Sequence, residues 1–350
     1  MSILTERKSV RVVILSWVFF VAIVFAGFTT FLSDEELAAQ RSAQEEKKPS
    51  PELATAKKLR EHGIRLHARE EYEAAIITYD TMIKSLRDVG EIEVQILVAE
   101  AAYNRGLAYG ELGRTDTMLA EMDKLSTQFS QSQEIRLRIF AAEARLFIGD
   151  TLMDDGKLEQ GEAIYANVID LYSSGDDDAL QEIVAWAYFG KAAILDERLQ
   201  LKQAKVAYTD LVVRYEKSNR DGVRKVVAIA LNNRGYITLR RGKKLWAEIG
   251  DGIKPRSLWG EALSDALAAK QIAPQDPYVL ATLGYVQFLL YSENDAKENL
   301  RKSLKFGGED VFHALLKDAT YNTISRDMDY VTLVKALWFE VQVELAESEV

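Results

Sequence analysis

The sharpest contrast between apolar and polar positions lies near the start of the chain. Residues 12–32 form 21 positions without a charge. As a helix they would run about 31 Å, the thickness of a bilayer's hydrocarbon core. Arg7, Lys8 and Arg11 precede this run, and Asp34, Glu35 and Glu36 follow it. That order predicts a single transmembrane helix with residues 1–11 in the cytoplasm and everything after residue 32 outside. The other reading is a cleaved signal ending at Ala26, although Phe28, Phe31 and Leu32 prolong the apolar stretch past that point. Residues 33–52 are polar and contain Pro49 and Pro51, which read as a spacer that no helix crosses.

Beyond the spacer the pattern becomes periodic. Small residues stand at Gly63, Gly106, Gly149, Ala192 and Gly235, each 43 residues after the last. Tyr79, Met122, Tyr165 and Tyr208 lie 16 residues after the first four, with Met82, Leu125, Val168 and Leu211 three further on. A second small set, Ala75, Gly161, Ala204 and Ala247, keeps the same register, from which Met118 departs. A period of this length predicts stacked pairs of helices. The first helix of each pair carries the small residue. A turn follows, marked by Gly113, Gly156 and Gly242 in three units, and the second helix brings a small residue and then an aromatic. Two helices approach closely where both present small side chains, and the aromatic is expected to fill the gap against the next unit.

These residues and spacings resemble the tetratricopeptide repeat (TPR), over residues 53–310 in about six units. The resemblance implies an all-α, right-handed superhelical solenoid of antiparallel helix pairs, in the extended form common in bacterial proteins, following the transmembrane helix. Additional polar residues before each first helix, as in "SSGDDDALQE", are expected to add turns to that helix. The last unit returns to the short form, with Gly284, Ala296 and Leu300 in phase. Residues 311–350 read as polar-faced helices capping the array.

Composition narrows the function classes. The net charge is −10, which disfavours nucleic acid as a partner. No cysteine occurs, which excludes a disulfide framework, thiolate metal sites and a cysteine nucleophile. No catalytic or phosphate-binding motif is present. His62 and His67, five apart, are poorly placed to share a metal. Asp176, Asp177 and Asp178 lack the pattern of a calcium loop and read as the acidic start of a helix. The expectation is therefore a protein that is not an enzyme and that holds no cofactor or metal.

The resemblance also implies a groove lined by the first helices. Its positions fall on Glu100, Tyr103, Glu111, Glu143, Asp150, Asp154, Trp186, Phe189, Asp196, Glu197, Asn232 and Tyr236, an acidic lining interrupted by aromatics. The positions at which co-chaperone TPRs clamp a carboxylate carry only Arg60 and Asn104 as suitable side chains, and Glu143 would repel it. One irregularity interrupts the register, an insertion near residues 243–258 that is expected to break a second helix at Gly250, Gly252 and Pro255. Within and beside it stand Arg240, Arg241, Lys243, Lys244, Trp246, Lys254, Arg256 and Trp259, a rival docking surface that is basic in an acidic chain. The expected role is a membrane-anchored scaffold in the bacterial inner membrane, with its repeats in the periplasm and protein partners in an envelope complex. The cleaved alternative is a soluble binder of extended polypeptides.

Overall fold

The structure, a computed structural model, describes residues 49–175 and 177–348. The expected transmembrane helix and most of the spacer lie outside the described residues. Among those described, every regular element is α-helical, and no helix is long and apolar enough to cross a membrane. The chain divides into two compact units that part between Tyr172 and Ser173.

The first unit holds α1 (Pro51–Ala68), α2 (Tyr72–Leu86), α3 (Ile92–Glu111), α4 (Thr115–Phe129), α5 (Ile135–Asp154) and α6 (Leu158–Tyr172). Pro51 starts α1 rather than ending the spacer. Its missing N–H is no loss at the first helical position, and the Ser50 hydroxyl accepts the Leu53 N–H at 3.0 Å. Consecutive helices pack as hairpins, and the first helices α1, α3 and α5 lie against one another in turn. The small-residue register is visible in atomic contacts. A Cβ built on Gly63 would fall 2.3 Å from the Tyr79 ring, one on Gly106 2.7 Å from Met122 Cε, and one on Gly149 2.8 Å from the Tyr165 ring. Each large side chain thus sits on the glycine of its own pair. The gap it fills lies inside the unit, as well as against the next one, where Tyr79 shares a core with Val94 and Ala101.

The second unit holds α7 (Asp178–Glu197), α8 (Leu201–Tyr215), α9 (Asp221–Ile249), α10 (Ile253–Ile272), α11 (Pro277–Leu289), α12 (Glu293–Thr320) and α13 (Asp327–Ser348). Asp177 caps α7 by accepting the N–H groups of Ala179 and Leu180 at 3.0 and 3.1 Å. Gly284 repeats the close approach, with Leu300 Cγ 2.6 Å from its would-be Cβ. Helices α3, α5 and α7 have 20 residues each and α11 has 13, so the extra length of the long units lies in the first helix.

The insertion takes a form the sequence reading did not anticipate. Left-handed backbone turns the hairpins at Glu70, Gly113, Gly156 and Leu199, which are 43 residues apart, with φ of 61°, 72°, 73° and 58°. The next position in that series is Gly242, and it is helical. There α9 continues to Ile249, 29 residues in all, and the chain turns only at Gly250, with φ of 78°. No second helix is broken. Both arms of one hairpin are lengthened, and Pro255 sits harmlessly in the first turn of α10. Gly242 is buried because Trp259 covers it: a Cβ there would lie 2.4 Å from the indole Nε1. Trp259 stacks on Trp246 at 5.1 Å and donates to the Leu239 carbonyl at 3.3 Å. Helix α12 runs across the expected end of the array at residue 310 and bends instead at Gly308, where φ is 60° and ψ is −148°.

Two substitutions test this register with opposite signs. Gly149→Ala should destabilise unit 1 by about 1–3 kcal/mol, because the Tyr165 ring must move off its seat. Leu199→Gly should stabilise unit 2 by roughly 0.5–1 kcal/mol, since an exposed leucine there holds a left-handed conformation that glycine adopts without strain. Denaturant midpoints of the two variants would reveal an incorrect register as equal or reversed shifts.

Candidate protein-binding faces

In unit 1 the acidic positions do not act alike. Glu100 is buried and taken, since both its oxygens accept from Arg60 Nε at 2.8 and 2.9 Å. That pair also removes Arg60 from any carboxylate clamp. Glu111 and Asp154 are exposed, and Glu143 and Asp150 are half-buried. Tyr103 is buried against Phe140, with ring centroids 6.2 Å apart. Glu143 and Asp150 both lie close enough to Tyr103 to raise its hydroxyl further above a range already lifted by burial. Asp150 accepts the Tyr165 hydroxyl at 2.6 Å. Burial pushes the Asp150 carboxyl up to about 7; the Tyr165 hydrogen bond pulls it down and neighbouring Asp154 pushes it higher. Helices α3 and α5 therefore bring Tyr103, Glu143, Asp150 and Asp154 together as a face that is aromatic at its base and acidic at its edge.

Unit 2 differs at Tyr236 and Arg240, which residues of its own C-terminal segment meet. Trp186 is half-buried and meets Phe189 edge-on at 5.7 Å, while Phe189 is buried against Tyr208 at 5.7 Å. Glu197 is half-buried, and Asn232 is buried. Asp196 is buried 3.5 Å from Arg240, whose guanidinium lies over the Tyr321 ring at 4.1 Å. The Tyr236 hydroxyl donates to the Asp318 carboxyl. Burial lifts that carboxyl to about 6, against the downward pull of this hydrogen bond and of Lys243 and Arg240. Tyr236 is thus an internal contact of the C-terminal segment and not an open anchor.

The basic insertion is likewise divided. Arg240, Lys243 and Trp259 are 2%, 0% and 0% exposed and belong to the interior. Lys243 donates to the Tyr285 hydroxyl at 2.6 Å and to the carbonyls of Asp318 and Ala319 at 3.2 and 3.3 Å, and it lies 3.0 Å from Asp327. The Tyr285 hydroxyl and the Ile324 N–H complete Asp327's shell at 2.6 and 2.8 Å. Burial lowers the Lys243 ammonium, and Asp327 opposes that shift. Arg241 and Trp246 are half-buried; Lys244, Lys254 and Arg256 are exposed, and Arg256 is held by Asp251 at 2.6 Å. A docking surface made of all eight residues does not exist as such, because hairpin extension turned Arg240, Lys243 and Trp259 inward. Sequence reasoning missed their partners, Tyr285, Asp318, Tyr321 and Asp327, which stand far along the chain with no spacing to tie them to α9.

Two measurements probe these groups. Removing one partner of a buried pair strands the other. Asp327→Ala and Lys243→Met should therefore each cost roughly 3–5 kcal/mol, and the double variant less than the sum of the two, because the pair is then removed together. Additive shifts in denaturant midpoint would contradict that coupling. Asp150 gives a pH signature. A carboxyl raised from 3.8 to about 7 binds its proton more tightly in the folded chain than in the unfolded one. Its contribution is full below the ordinary value and is lost as pH climbs to about 7. Asp150→Asn, which keeps an oxygen for the Tyr165 hydroxyl, should gain roughly 1–3 kcal/mol over the native chain at pH 8 and little at acid pH. Parallel unfolding curves at the two pH values would count against a buried, proton-binding Asp150.

Comparison with known proteins bears on the fold. No family model matches the sequence, and no curated protein does. Among solved structures, the apo form of RapI superposes with a TM-score of 0.53 at 13% identity, covering 83% of this chain and 99% of that one. The TPR2AB domain of yeast Sti1, in its pHSP90 complex, covers 83% of this chain and 99% of its own at 16% identity, with a TM-score of 0.27. Acl4, an assembly chaperone of RpL4, covers 84% of this chain and 98% of its own at 16% identity, with a TM-score of 0.36. The latter two scores are too low to carry an argument. The likeness to RapI, at its low identity, speaks for the fold alone, and with the helix-pair register described above it makes this chain an all-α, TPR-like repeat protein.

Proposed function

We propose that this chain is a non-enzymatic, membrane-anchored scaffold whose TPR-like repeats hold a protein partner. Residues 12–32 supply the anchor, and the order of charges around them favours repeats outside the cytoplasm of a bacterium. In that setting the partner belongs to an envelope complex for secretion, translocation, motility, pilus or cell-wall assembly. The observation that carries the binding reading is the contrast between the two units. Unit 1 places Glu143, Asp150 and Asp154 around the Tyr103 base, whereas in unit 2 Tyr236 and Arg240 are met by Asp318 and Tyr321 of the same chain. An acidic rim over a buried aromatic base suits a basic or amphipathic segment, with the carboxylates giving encounter rate and selectivity.

The test has two parts. A reporter that functions only outside the cytoplasm should be active when fused after Val350, and activity of a cytoplasm-only reporter there would reverse the topology. Crosslinking in intact membranes should capture a protein partner through unit 1. Reversing the exposed Asp154 to Lys should then lower capture by about tenfold at low salt, the equivalent of 1.4 kcal/mol, and added salt should weaken capture by the native chain. If reversing Lys244, Lys254 and Arg256 abolishes capture and the unit 1 variant does not, the binding face is the exposed remainder of the insertion.

A further inference from the structure

The interior uses the long hairpin of α9 and α10 only up to the stacked pair Trp246 and Trp259. Turning at Gly250 instead of Gly242 carries the chain eight residues further, about 12 Å of helix. Residues 247–251, 253 and 254 of that extra length are exposed. Two of them are large and apolar: Ile249 is 59% exposed and Ile253 88%, the highest value of any large apolar side chain among the described residues. Cations stand close behind, Arg241, Lys244, Lys254 and Arg256, in a chain whose net charge is −10. The acids of the tip are both engaged. Glu248 lies 3.9 Å from Lys244, and Asp251 2.6 Å from Arg256. Arg256 also lies over the Tyr291 ring at 5.1 Å, and Arg326 covers that ring at 3.7 Å, so the neighbouring turn adds a further cation. No ion pair involves Lys254 among the described residues.

We propose that this hairpin tip is a second membrane contact, with Ile249 and Ile253 dipping into the headgroup layer of an anionic bilayer and Lys244, Lys254 and Arg256 meeting its phosphates. Two isoleucines held in water gain from burial in any apolar medium. The cations around them decide which medium, because a basic cluster behind an apolar end is the arrangement that seats a protein at an anionic headgroup boundary. The backbone of residues 250–252 needs polar partners, which headgroups supply and hydrocarbon does not, so only the side chains enter. The proposal rests on the reading of residues 12–32 as an anchor in one respect: the anchor keeps a bilayer within reach, so a contact too weak to hold the chain alone adds to it. Its effect is to fix how unit 2 faces the membrane.

The native chain has no cysteine, so single labels read the contact in the full chain reconstituted into vesicles. Gly252 is a suitable position, since its backbone is extended and nothing lies within 4 Å of its would-be Cβ. A fluorophore on Gly252→Cys should lose emission to brominated acyl chains in vesicles of phosphatidylcholine with phosphatidylglycerol, and much less in phosphatidylcholine alone. Adding Ile249→Asn and Ile253→Asn, or Lys254→Glu, should abolish that loss with an unchanged melting temperature, because these side chains are exposed. A label on Val213→Cys, exposed on α8 about 21 Å of helix beyond the turn at Leu199, should not be quenched in either. An unquenched tip, a tip quenched equally in the two lipids, or quenching indifferent to the isoleucines would each overturn the proposal. So would a tip that stays wet in vesicles and is shielded from iodide only in native membranes, which would mean that a protein covers it. A label on Ile23→Cys reports the anchor separately. Quenching there without quenching at the tip leaves the anchor standing and removes the second contact, and the reverse pattern does the opposite.

Discussion

The architecture depends on a contact that admits no intervening side chain: a glycine in one helix lying under a ring or thioether sixteen residues on. Gly63 under Tyr79, Gly106 under Met122 and Gly149 under Tyr165 bring each hairpin to the same narrow separation. Once that separation is fixed, the left-handed turn comes halfway between the two residues, and its recurrence at 43-residue intervals follows. Glu70 and Leu199 accept an unfavourable backbone to satisfy it. Packing between the helices, and not the preference of the turn residue, decides where the chain reverses.

The same contact explains which parts of the fold were legible in the sequence. Glycine and aromatic lie within one hairpin, so their spacing is printed along the chain and can be counted. The extended hairpin was misread because Gly242 occupies the place of a turn glycine while serving as the seat of Trp259. Sequence spacing does not separate those two uses of glycine; only the partner does. Likewise Arg240 and Lys243 look like surface charges until Asp196, Asp318 and Asp327 are brought to them by long-range packing. The acidic positions of unit 1 were identified, but their individual character was not. Glu100 is neutralised by Arg60, and Asp150 is desolvated beside Tyr165.

The two units thus put a similar design to different ends. The described residues of unit 1 form helix pairs joined by short-range polar contacts, Arg60 with Glu100 and Arg105 with Asp80 and Glu121. Unit 2 has lengthened one hairpin and bent α12 at Gly308, so that residues 318–327 meet the inner turns of α9. Burying a lysine there is tolerable because four oxygen partners converge on it. The network ties α9, α11, α12 and the start of α13 together and gives the second unit a polar keystone.

That keystone has a consequence for how the chain is made. Hairpins of unit 1 close over neighbours only a few tens of residues away, so they can assemble as the polypeptide emerges during synthesis. Unit 2 has no such freedom. Until Asp327 has been synthesised, the ammonium of Lys243 lacks the carboxylate it contacts directly, and α9 cannot complete its final surroundings. The second unit is thus closed from its far end: a chain cut short before its last helix lacks the carboxylate that Lys243 and Tyr285 share, and the burial of that lysine stays incomplete.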